Sequence, residues 1–221
     1  MHNYQKYRRA GYTLPINNPS ISNLMGEYFT STNPTPGTGI PMGIQTTFSD
    51  TAQVLMLMYN GGTKRVIMDY LKLICTAAGA STIFSNLVLK LSNKDRYASG
   101  GSAIVPSQPH GPSRDSSITK FYFGIIVANA LGALSKVVGR SIVKIADAPC
   151  FVVGDQFIMT FGTRDIATGV ISATSPRVAQ LFSGPIIISP GWSLTLHMWN
   201  TDNAVTAPSW EFDAGYFEMD A

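Results

Sequence analysis

The residues best placed to do chemistry lie late in the chain. In the stretch SWEFDAGYFEM, Glu211 and Asp213 stand two apart. On a strand they share one face at a spacing of about 7 Å. That spacing falls in the range of carboxylate pairs that hydrolyse glycosides with inversion, although such pairs come from different walls of a cleft. Acids on the solvent face of a strand are the plainer reading. A Ser-His-Asp system would need one of three histidines. His2 sits in the N-terminal segment, His110 lies in the loop SQPHGPS, and His197 alternates with Ser193 and Thr195. That alternation predicts an exposed strand position for His197. The sequence contains no G-x-x-x-x-G-K-[ST], no H-E-x-x-H and no C-x-x-C. Cys75 and Cys150 lie in apolar, strand-like contexts. They read as buried thiols, and a disulfide stays open because paired strands could bring them together. The sequence therefore predicts no enzyme, no catalytic residue, no cofactor and no metal.

One stretch has a partial resemblance. Gly184-PIIIS-Pro190-Gly191-WSLTL-His197-MW-Asn200 is similar to the second motif of the cupins, which are metal-binding jelly rolls. It departs from them where the metal would bind. The cupin histidine follows the Pro/Gly turn more closely, and the further histidines that complete a site are missing. What remains is the turn Ser189-Pro190-Gly191-Trp192. It predicts type II geometry, with proline fixing φ at the second position and glycine supplying positive φ at the third.

These residues must be carried by strands. Nine strand-length runs follow one another between residues 51 and 219, punctuated by Gly, Pro and Asn. They are 51–59, 66–75, 83–91, 118–128, 139–146, 151–161, 185–189, 192–199 and 209–219. In WSLTLHMW and SWEFDAGYFEM, apolar and polar residues alternate with period two. Asn60-Gly61-Gly62 predicts a hairpin connection between the first two runs. Residues 92–117 read as a long loop, and 128–138 as a loop with a single helical turn. The pattern predicts an all-β antiparallel sandwich over residues 51–221. Residues 1–50 are different. Pro15, Pro19, Pro34, Pro36 and Pro41 interrupt regular structure, yet apolar anchors recur throughout. That combination predicts an extended N-terminal arm lying along another surface. The plainer alternative is an irregular segment packed on its own domain.

Charge sharpens the picture. The 221 residues carry a net charge of +3, and only 13% are charged against 45% hydrophobic. So sparse a charge excludes a disordered polyelectrolyte and suits a surface that is largely covered. Residues 1–12 carry +3, 13–63 carry −2, 64–177 carry +7 and 178–221 carry −5. A basic tip and an acidic end favour contact between unlike parts, within a chain or between copies. We expect Lys6, Arg8 and Arg9 to meet Glu211, Asp213 and Glu218 of a neighbouring copy, with Tyr4, Tyr7, Tyr12 and Leu14 as apolar anchors. Three cations support weak nucleic-acid contact at most. No apolar run reaches the roughly 18 residues of a membrane span. No leader and no glycosylation acceptor are expected.

A Pro/Asn/Ser-rich arm, then PIIIS, the turn Ser189-Pro190-Gly191, WSLTLHMW and a closing aromatic strand SWEFDAGYFEM together resemble single jelly-roll virion proteins. The resemblance covers residues 51–221 as an architecture, plus the arm. It implies a capsid or decoration protein of a bacterial virus, assembled in the host cytoplasm. Its partners would be copies of itself and other virion proteins. The alternative is a carbohydrate-binding sandwich module, which would need Trp192, Trp199 and Trp210 on one exposed face.

Overall fold

The computed structural model describes residues 27–45, 47–52, 54–79, 84–109, 116–144, 151–162, 178–200 and 206–220. Among them there are fourteen strands and no helix. In chain order these are β1 (Tyr28–Thr32), β2 (Ile40–Pro41), β3 (Gly43–Ile44), β4 (Val54–Asn60), β5 (Arg65–Ala77), β6 (Phe84–Ser92) and β7 (Tyr97–Ile104). They continue with β8 (Thr119–Ala128), β9 (Ser135–Lys144), β10 (Gln156–Phe161), β11 (Val178–Ser183), β12 (Ile187–Ile188), β13 (Ser193–Asn200) and β14 (Ser209–Met219). One sheet runs β1-β14-β5-β10-β11, with β12 on β5 and β2 on β14. The other runs β7-β8-β4-β13-β6-β9, with β3 on β13. Pairing is antiparallel except for β10 with β11 and β13 with β3.

The two sheets face one another across a single large apolar cluster. Trp210, Phe212, Ala214 and Tyr216 of β14 and Leu71, Leu73 and Cys75 of β5 enter it from the first sheet. Leu194, Leu196 and Met198 of β13 and Phe121 and Phe123 of β8 enter from the second. The rings interlock: Phe212 lies 5.0 Å from Phe121 and 4.3 Å from Phe123, and Trp210 lies 5.1 Å from both Phe151 and Phe157. Alternate residues point inward because a strand repeats every two residues, so period-two text becomes a two-layer core. The Cys75 sulfur lies 3.2 Å from the Ala77 carbonyl oxygen. Cys150 lies outside the described residues.

Several sequence expectations change. Residues 28–32, expected to belong to an arm, form β1 and pair with β14 from Tyr28↔Phe217 to Thr32↔Asp213. Residues 40–44 add two more short strands, so this part packs on its own domain. The expected loop at 92–117 contains β7. This strand is exposed along most of its length and needs no apolar alternation, which is why its text YASGGSAI did not read as a strand. Residues 135–138, read as loop or helical turn, begin β9. Residues 178–183 also form a strand, while the expected strand at 185–189 shrinks to Ile187–Ile188.

The turn after β4 is a corner between the sheets rather than a hairpin, because β4 and β5 belong to different sheets. Asn60 holds it. This fully buried side chain donates to the carbonyls of Lys64 and Ile188, both at 2.8 Å, and accepts from Gly62 N at 3.2 Å. Its own N–H donates to Trp192 O, and its carbonyl accepts from Gly191 N. The turn at 189–192 has the expected form, with Gly191 at φ 78° and Trp192 N bonded to Ser189 O at 3.0 Å. Asn60→Ala would remove the partner of two carbonyls and one N–H, and would leave the buried Ile188 carbonyl without it. It should lower stability by about 2–3 kcal/mol in urea unfolding. A loss below about 1 kcal/mol would mean that other contacts hold the corner.

Candidate functional site

The acids singled out from sequence do not share a surface. On β14 the even-numbered residues Trp210 to Tyr216 point into the core, and Glu218 has the same parity. Its carboxylate is 2% exposed and accepts from Ser117 Oγ at 2.6 Å, Thr119 Oγ1 at 2.9 Å, and the backbone N–H groups of Ile118 and Thr119. Glu218 therefore clasps β14 to the start of β8 across the sandwich. It is not available to a basic arm, which corrects that expectation. Glu211 and Asp213 point the other way, onto the outer face of the first sheet, as their alternation predicts. Tyr4, Lys6, Tyr7, Arg8, Arg9, Tyr12 and Leu14 lie outside the described residues, as do His2 and His110.

Around Glu211 and Asp213 the outer face has a definite construction. Tyr70 donates its hydroxyl to Asp213 at 3.0 Å, and Tyr28 donates to Asp69 at 2.9 Å. Gly215 lies between the pairs. A Cβ there would come within 2.1 Å of the Tyr28 hydroxyl and 2.5 Å of the Tyr70 ring, so only glycine lets both rings lie flat over the strand. Burial, reinforced by the neighbouring carboxylates, pushes both phenols far above their ordinary value. Burial also raises Asp69, an effect the Tyr28 hydrogen bond opposes. At neutral pH the tyrosines keep their protons and donate hydrogen bonds to the carboxylates. The face thus carries Asp69, Glu211 and Asp213 among tyrosine rings, with Lys72 paired opposite Asp213 in the register. Tyr28, Asp69 and Tyr70 were not legible as site residues, because only the β1–β14–β5 register brings them beside Asp213.

The outer face of the second sheet is covered. Ser193, Thr195 and His197 do face outward from β13, but all three are buried. Residues 47–52 fold over them. Asp50 pairs with Lys90, and its backbone carbonyl accepts from Arg96. The Phe48 ring lies 5.1 Å from His197, 5.2 Å from Trp199 and 5.3 Å from Lys90 Nζ. His197 is therefore not a solvent-face residue. Its Nε2 lies 3.2 Å from Thr195 Oγ1, and burial among Lys90 and Arg96 lowers its pKa to about 4, with Asp50 opposing.

The tryptophans are divided. Trp210 is in the core, Trp199 is buried under Phe48 and Trp192 is partly buried at the turn, so they form no common platform. Among the described residues no three His, Cys, Asp or Glu side chains converge as a metal site would require, and no helix is long and apolar enough to cross a membrane. No protein-family model, curated protein or solved structure matches this chain.

The buried histidine has a measurable consequence. Its pKa is near 4 when folded and near 6.5 when unfolded, so the unfolded chain binds the extra proton between these values. The stability held above pH 6.5 should fall by about 2–3 kcal/mol as pH drops to 4. Urea unfolding of His197→Gln should lack this part of the pH dependence. A slope unchanged from the parent protein would refute the assignment.

Proposed function

We propose that this chain is a virion structural protein, a single jelly roll that self-assembles into, or decorates, an icosahedral shell. The observation that carries the fold reading is the order in which eight strands pair. Taking β1, β4, β5, β6, β9, β10, β13 and β14 as the core, the first pairs with the last and the second with the seventh. The third pairs with the sixth, and the fourth with the fifth. All four pairs are antiparallel. The sheets they make, β1-β14-β5-β10 and β4-β13-β6-β9, have the order produced by rolling one long hairpin into two layers. The hairpin β7–β8 is then an insertion between the fourth and fifth strands.

Jelly rolls also serve as lectins and cupins, so the fold alone does not select a function. The lectin-like alternative loses its aromatic platform. A shell subunit accounts for the low charge density and for exposed apolar residues such as Val105, Ile125, Val127 and Val137. In this reading Lys6, Arg8 and Arg9 meet the Asp69, Glu211 and Asp213 face of a neighbour, while Tyr4, Tyr7, Tyr12 and Leu14 bury apolar area. Exposed charge pairs contribute about 0–1 kcal/mol each, so within the arm the anchors contribute more than the charges, which set register.

Light scattering followed by electron microscopy of the full chain tests this. Discrete oligomers or shells are expected, and Tyr7→Ala/Leu14→Ala should loosen them. Lys6→Gln/Arg8→Gln/Arg9→Gln should assemble more slowly at low salt, with high salt slowing the parent to match. A monomer at every concentration and ionic strength would overturn the self-assembly reading. Loss of co-purifying nucleic acid alone, with unchanged assembly, would assign the basic tip to the genome instead.

A further inference from the structure

We infer that copies of this chain associate head to tail, the β7–β8 flank of one copy against the β9 flank of the next. The inference rests on the self-assembly reading and names the surfaces that would carry it. The sandwich has two unlike flanks. On one, β1 bridges to Ser107 just beyond β7, and β2 lies over β8, where Ile40 approaches Gly124. On the other, β11 lies beside β9. In the second sheet β7 and β9 are the two edge strands, each paired on one side only among the described residues.

Both flanks expose large apolar side chains, which folded monomers tend to cover. Beside β7 and on β8 they are Val105, Ile125 and Val127, and Val105 is 88% exposed. Beside and on β9 they are Leu134 and Val137, with Ile187 next to them. Here Leu91, Val137, Val138, Pro185, Ile186 and Ile187 line an open groove of about 410 Å3 between the two sheets. One flank thus projects and the other is hollow.

The register places them two residues apart in height. One row across the second sheet reads Ile104, Phe121, Met58, Leu194, Leu91, Lys136. β7 and β9 run in opposite directions, so Val105 lies one residue beyond this row on one side and Val137 one residue beyond it on the other. A second row runs from Gly100 through Ile126, Val54, His197 and Val88 to Arg140. Ile125 and Val127 accordingly lie level with Arg140. Val137 is level with Ala103, so a neighbour displaced sideways and shifted by two residues, about 7 Å, along the strands brings Val105 to the groove.

Charge disfavours pairing like flanks. β9 carries Lys136, Arg140 and Lys144 and no acid. The opposite flank carries one base, Lys120 on β8, and none on β1, β2 or β7, with Glu27, Glu211 and Asp213 beside β1 and β2. Two β9 flanks would repel, whereas unlike flanks attract. Backbone geometry agrees. β7 is broken by two register shifts with Gly100 and Gly101 at positive φ, so it is a poor template for adding a strand. Contact through side chains in the groove remains. A contact between unlike surfaces repeats from copy to copy and closes into a ring where the rotation allows.

Two full-length variants test this by light scattering, with circular dichroism to verify folding. Val105→Asp/Ile125→Asp disables one flank, and Lys136→Glu/Val137→Asp disables the other. Each alone should be monomeric where the parent protein is assembled. An equimolar mixture should give a one-to-one dimer and stop, since each variant keeps one working flank. If either variant alone still associates, or the mixture stays monomeric, the head-to-tail contact is wrong. A parent protein that is itself monomeric throughout would overturn the self-assembly reading and this inference with it.

Discussion

The two sheets are registered to each other through one buried amide. Asn60 ends a strand of the second sheet and binds the turn that opens the first sheet. It also holds the carbonyl that closes β12 and both sides of the turn that starts β13. Ile118 packs against this corner, where a Cβ at Gly62 would meet it at 2.7 Å, and the bond to Ile188 is fully buried. A buried polar group with every bond made specifies one arrangement, since any slip leaves several groups unpaired at once. The apolar core tolerates approximate packing far better.

Glu218 acts in the same way toward the other side of the sandwich. Its carboxylate gathers four donors from residues 117–119 and so fixes where β8 begins. The inserted hairpin hangs from that point. With Asn60 on one side and Glu218 on the other, the end of the sandwich near residue 60 is tied by polar bonds. The interior relies on ring contacts around Trp210 and Phe212. On the second sheet a further layer, Phe48 and Asp50 over Lys90, Arg96 and His197, converts an outer face into an interior one.

Strands whose two faces differ were readable from sequence, which is why WSLTLHMW and SWEFDAGYFEM stood out. The same alternation assigns Glu218 to the inner face, and treating it as one of an acidic cluster overlooked its parity. β7 was hidden because an exposed edge strand needs no apolar pattern, and β1 because Tyr28 and Phe29 also fit an anchor-bearing arm. The Asn-Gly-Gly text marked a turn correctly but could not say whether it joins neighbours in one sheet or crosses between two. His197 looked exposed because its cover, residues 47–52, comes from far away in sequence. The Tyr–Asp face was illegible for the same reason, since Tyr28 meets Asp69 only after β14 lies between their strands.

The partnership of β1 with β14 also sets a timetable. Tyr28 cannot meet Phe217 until nearly the whole described chain has left the ribosome. Until then the outer edge of β14's future position is empty and Phe29 has no Tyr216 to stack on. Closing so long a loop is slow, and contacts of this kind form late in folding. The first sheet therefore stays incomplete until β14 has emerged, and the Tyr–Asp face, which needs that sheet, is displayed only after that. A nascent chain cannot offer this surface to a neighbour too early.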